Sequence, residues 1–166
     1  AAKWRGKEGR GERFAELAGR LTATDGLLPG ARLAVLAAAH ERAQAEPLLA
    51  ALPAHRVIDL IGRTDLLTGA AVLRRAALFI GNDTGLMHIA AASGVPTLGL
   101  FGPSPIEQYA PWGANCATVH TEAPREVLVG GDFDHRTTGT LMDTLTVEMA
   151  EAAARDLWLR AASRAA

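Results

Sequence analysis

Residues 77–101 restrict the possible folds more than any other segment. An apolar run, Ala-Leu-Phe-Ile-Gly, ends in Asn82-Asp83-Thr84-Gly85, and a helical pattern of small residues follows. Gly94-Val95-Pro96 then closes the helix, and a second apolar run leads to Phe101. Strand, helix and strand in that order imply parallel pairing through a right-handed crossover.

The same alternation extends in both directions. Phe14, Leu17, Ala18 and Leu21 recur at helical spacing and predict a first helix ending near Leu21. Residues 32–39 read as a strand buried on both faces, although their alanines also suit a helix. Residues 41–52 read as a helix in which Pro47 marks a late start or a break. A short strand over 55–62, a helix over 65–76 with Asp65 near its start, and a strand around 116–120 complete the pattern. Residues 125–139 read as loop with a small strand. Val147, Ala150, Ala154, Leu157 and Ala161 mark a last amphipathic helix. The expected class is α/β: a Rossmann-like parallel sheet with helices on both faces, formed as one domain over residues 1–166. In such sheets ligands bind outside the carboxyl ends of the strands.

Composition narrows the partners. A formal net charge of −1 provides no global field for nucleic acid or an anionic membrane, so no nucleic-acid partner is expected. The single cysteine, Cys116, forbids an internal disulfide or a multi-thiolate metal site. No apolar run reaches the roughly 20 residues of a spanning helix, and the N-terminus is polar and basic, unlike a secretory signal. A first residue of Ala rather than Met suggests a piece of a longer chain or a processed one.

The junction at residues 81–88 carries the chemistry. Gly81 permits a tight turn, and Thr84 or Asp83 can cap the helix that follows. Amides at Thr84, Gly85 and Leu86 would point out of the helix start and, with the dipole, favour an anion. His88 lies one turn beyond Thr84, facing the same way. A plain N-cap with a solvated histidine explains the same residues. The convergence of Asp83, Thr84 and His88 at the sheet's functional edge, beside the Gly102-Pro103-Ser104-Pro105 loop, favours a phosphate site. An aspartate there must cap the helix, pair with a cation or bind metal, and capping with a lysine nearby is the expectation.

Residues 81–105, Gly-Asn-Asp-Thr-Gly-Leu-Met-His through Phe-Gly-Pro-Ser-Pro, resemble the signature of the heptosyltransferase-type glycosyltransferases, glycosyltransferase family 9. Lys3-Trp4 resembles the family's interdomain lysine–aromatic segment. Residues 37–43 resemble its acidic ribose-binding turn, residues 59–66 the loop beside the nucleobase, and residues 141–154 its closing helix. The resemblance implies the C-terminal, donor-binding half of a GT-B enzyme. Lys3, Asp83, Thr84, Gly85 and His88 would surround the donor diphosphate, Glu41 would accept from the ribose hydroxyls, and Thr64 would lie beside the base. It further implies an inverting, metal-independent transfer of heptose or a related sugar from an ADP-sugar to a lipopolysaccharide core acceptor, with no cofactor. Such an enzyme is expected in the cytoplasm, including peripheral association with the inner membrane. The acceptor domain, and with it the catalytic base, has no counterpart in these 166 residues. The isolated domain is therefore expected to be inactive, and no catalytic residue is assigned within it.

Two other readings compete. One is a free-standing nucleotide-binding or interaction module of the same fold; the other is a nucleotide-sugar epimerase, for which no second carboxylate pair is evident. The Asp132-Phe133-Asp134 spacing suits a metal–nucleotide site in another glycosyltransferase fold, but its late, Gly-flanked loop argues against that use here. Trp112 reads as a loop anchor or a wall of the donor pocket.

Overall fold

The computed structural model describes residues 5–130, 134 and 137–165. Twelve helices and strands follow in chain order: α1 (Gly11–Thr22), β1 (Leu33–Val35), α2 (Arg42–Leu49), β2 (Val57–Asp59), α3 (Leu66–Leu73), β3 (Phe79–Asn82), α4 (Gly85–Ala92), β4 (Thr97–Phe101), α5 (Ile106–Tyr109), β5 (Cys116–His120), α6 (Arg125–Leu128) and α7 (Val147–Ala165). Short 3-10 turns occupy Arg5–Lys7, Ala39–Glu41 and Ala54–Arg56.

Among the described residues every strand pairing is parallel. β1 pairs with β2, placing Leu33 opposite Val57, while β4 lies between β3 and β5, with Gly99 opposite both Gly81 and Thr118. The hydrogen-bond ladder thus runs as a pair and a triple rather than one unbroken sheet.

Strand β4 is buried along its whole length, as a strand covered on both faces should be. Alternate side chains serve opposite layers. Leu98 and Leu100 join Leu17 and Leu21 of α1 and Ala150, Ala154 and Leu157 of α7 in the main core. On the other face, a Cβ added at Gly99 would come within 2.6 Å of Met87 Sδ, so the glycine lets α4 lie close against the strand. Arg20 ties α1 to α7 through Glu148 at 2.7 Å and also meets Glu16 at 2.6 Å.

Three expectations shift. The strand expected over 32–39 shrinks to Leu33–Val35, because beyond it the backbone serves the neighbouring loop: Ala37 carbonyl accepts from Gly62 N–H. Pro47 neither delays nor breaks α2 but sits inside it. Its ring packs at the start of α1, where a Cβ on Gly11 would meet Gln44 carbonyl at 2.4 Å and Pro47 Cγ at 3.1 Å. Residues 125–128, at the start of the expected loop, form a single helical turn, and residues 131–133 and 135–136 of that stretch lie outside the described residues.

Candidate functional site

The site lies at the carboxyl ends of β1–β4. Asn82 ends β3, and Thr84 is the N-cap residue of α4 in extended backbone (φ −146°, ψ 168°). Its side chain makes no capping bond, and neither does Asp83. The expectation that Asp83 caps the helix therefore fails, and the reason is competition. Asp83 is buried, and its Oδ2 accepts from Lys7 Nζ at 2.7 Å and from the Ser104 hydroxyl at 2.7 Å. A buried carboxylate with a cation and a hydroxyl on one oxygen is better compensated than one facing only backbone amides. The N–H groups of Gly85 and Leu86 have no partner within the helix by their position and face outward. His88 stands exposed one turn along α4.

Lys7 is what the sequence did not reveal. Its ammonium also lies 5.0 Å from the centroid of the Tyr109 ring. The segment that carries it is pinned from several sides. Gly9 N–H donates to Asn82 Oδ1 at 3.1 Å, the Thr140 hydroxyl to Glu8 carbonyl at 2.6 Å, and Leu141 N–H to Gly6 carbonyl at 3.1 Å. Nothing local marks Lys7 within the charged run of residues 3–13. Its partner is 76 positions away and is met only in the folded chain. Lys3 and Trp4 lie outside the described residues.

Glu41 does not follow β1 directly; it ends the 3-10 turn Ala39–Glu41. Its carboxylate accepts from Ala38 N–H at 2.7 Å, which fixes the side chain over the β1 end. The turn is braced by the next loop. Gly62 (φ +68°) presses against Ala39, where an added Cβ would meet the Ala39 Cβ at 2.7 Å. Arg42 grips both oxygens of Asp59 at 2.8 and 3.1 Å, and this hydrogen bonding holds the Asp59 carboxyl below the usual carboxylate range. Thr64 sits half-buried just before Asp65, which caps α3 by accepting from Thr68 N–H at 2.7 Å. The two halves of the edge meet through Glu8. Its carboxyl is pushed up first by burial and then by the nearby Glu41, with some relief from a hydrogen bond to Gln44.

Among the described residues the edge thus presents one ammonium, outward amides and a histidine beside a fixed glutamate, an arrangement suited to a diphosphate joined to a polyhydroxyl group. Among the described residues no cluster of three or more His, Cys, Asp or Glu side chains forms a metal cage. Asp132 and Phe133 lie outside the described residues. Trp112 is 91% exposed and anchors nothing. Burial raises the Cys116 thiol above its ordinary value. Among the described residues no helix is long and apolar enough to cross a membrane.

Comparison with known proteins identifies the family and the fold. A family model, glycosyltransferase family 9 (heptosyltransferase), matches residues 1–127. Lipooligosaccharide heptosyltransferase 2 of Haemophilus influenzae is 32% identical over 93 residues, covering 54% of this chain and 27% of that protein. The Campylobacter jejuni enzyme of the same name is 35% identical over 68 residues, 40% of this chain and 21% of its own. Among solved structures, E. coli ADP-heptose lps heptosyltransferase II superposes with a TM-score of 0.76 at 22% identity, over 96% of this chain and 44% of that one. E. coli heptosyltransferase WaaC with ADP gives 0.74 at 23%, over 95% of this chain and 42% of that one. At these identities the superpositions establish the Rossmann-like α/β fold of the GT-B heptosyltransferases, and the chain spans less than half of either structure. With more than half of its length matched by the family model, this chain belongs to glycosyltransferase family 9, the heptosyltransferases.

Proposed function

We propose that residues 1–166 are the donor-binding half of an inverting, metal-independent heptosyltransferase, and that the acceptor half and its catalytic base lie outside this sequence. The observation that carries the reading is the Lys7–Asp83–Ser104 cluster beside the outward amides of α4. It places a positioned cation next to a helix N-terminus at the carboxyl edge of a parallel sheet. A solved relative, E. coli heptosyltransferase WaaC, holds ADP, which supports an ADP-sugar as donor.

In this reading the diphosphate rests on the amides of Gly85 and Leu86, with Thr84 and His88 donating from the side and Lys7 supplying the positive charge. Asp83 positions Lys7 rather than touching phosphate. Glu41 accepts from the ribose hydroxyls and Thr64 borders the base. An acceptor hydroxyl of a lipopolysaccharide core, deprotonated in the other half, attacks the sugar C1. The C1–O bond to phosphate breaks, its electron pair passes to the diphosphate, and ADP leaves. Negative charge grows on the diphosphate as that bond lengthens. Lys7 and the α4 amides therefore bind the transition state more tightly than the ground state, which lowers the barrier without a divalent ion.

Calorimetric titration of the chain with ADP, GDP and UDP tests the reading, alongside His88→Ala and Lys7→Met. Saturable ADP binding, weakened about tenfold or more by either substitution, is expected; one charge-assisted hydrogen bond is worth that much. Sugar transfer by the isolated chain should be undetectable. A folded chain that binds none of the three nucleotides would overturn the assignment.

A further inference from the structure

Residues 7–9 touch three parts of the site. Glu8 lies near Glu41. Gly9 N–H holds Asn82 at the end of β3. Lys7 reaches Asp83 and the Tyr109 ring. This inference rests on the reading above, with ribose at Glu41 and diphosphate at the start of α4. Lys7, placed at that diphosphate, also lies against Tyr109 of the loop that follows β4, so a group carried on the diphosphate comes next to that loop.

That loop is held in place by the Ser104 hydroxyl on Asp83 and by the turn of α5, where Tyr109 N–H donates to Pro105 carbonyl at 3.2 Å. Tyr109 is 43% exposed, and its ring belongs to no part of the main core. A large aromatic left half in water beside a binding cation is available to a ligand. A pyranose offers C–H faces that pack on such a ring, and hydroxyls that a phenol can meet as donor or acceptor.

We infer that Tyr109 is a specificity-determining residue whose ring walls the subsite for the sugar carried on the nucleotide diphosphate. It distinguishes a nucleotide-sugar from the bare nucleotide, while Lys7 serves both.

Titration of the whole chain with ADP and with ADP-heptose separates the two roles. In Tyr109→Ala, ADP-heptose should bind about tenfold more weakly while ADP stays within about twofold of wild type, the scale of one lost ring contact. Tyr109→Phe, which keeps the ring, should hold most of the ADP-heptose affinity. Retained ADP binding also reports that the variants are folded. Equal losses for both ligands would mean that the ring acts only through Lys7, and unchanged ADP-heptose binding would mean that it acts on neither; either result overturns the inference and leaves the donor site standing. A wild-type chain that binds neither ligand would overturn the donor site itself and this inference with it.

Discussion

At the scale of single residues, the candidate site is built on a buried carboxylate held by Lys7 and Ser104. The Asp83 side chain is 7% exposed and that of Lys7 is 18% exposed. Lys7→Met would leave that charge with the Ser104 hydroxyl as its hydrogen-bond donor. The expected cost is about 1–3 kcal/mol in urea unfolding, and adding Asp83→Asn should recover part of it. Glu8 makes a different prediction. Its folded value is raised, so the folded chain holds that proton more tightly than the unfolded one. Stability from this group is therefore greatest in acid and declines as pH rises from the ordinary glutamate value through the raised one. Glu8→Gln should flatten that decline in the urea midpoint measured against pH, and an unaltered profile would contradict it. The residues of the Asp-Thr-Gly-x-x-His stretch were legible because turn, helix start and histidine lie within one short window. Lys7 and Tyr109 were not, because their meaning comes only from partners far along the chain.

At the scale of elements, the loops after β1 and β2 act as one unit. Leu60 N–H donates to Val35 carbonyl and Gly62 N–H to Ala37 carbonyl, so the Glu41 turn rests on its neighbour. Gly62→Ala must hold an L-residue at φ +68° and push a methyl against Ala39. It should cost about 1–3 kcal/mol and weaken ADP binding through Glu41 without touching the phosphate residues. Pyrophosphate as a competing probe would show the difference, since its binding should survive. Asp65→Ala removes the α3 cap and should cost about 0.5–2 kcal/mol by thermal unfolding. That cap was readable from sequence, as were most element types, because periodicity and capping are local. The length of β1, the passage of α2 through Pro47 and the helical turn at residues 125–128 were not readable, because each is set by what packs or pairs against it.

At the scale of the whole molecule, one core joins both ends of the chain to the central strand. Leu157 is 1% exposed among Leu17, Leu21, Leu98 and Leu100, and Leu157→Ala should cost about 2–5 kcal/mol in denaturant unfolding. The contacts that pin Lys7 are equally non-local: Thr140 with Glu8 spans 132 positions, and Arg10 with Asp143 spans 133. Closing such loops is slow, because the chain entropy is lost before the contacts form. Ligand grip should therefore arrive last in time. During refolding, helix content should return before ADP can be held. During synthesis the segment bearing Lys7 emerges more than a hundred residues before Thr140, and it can be fastened only once Thr140 and the residues beyond it have left the ribosome. A nascent chain still short of that point would own the Asp-Thr-Gly-x-x-His motif and yet lack the anchored cation beside it.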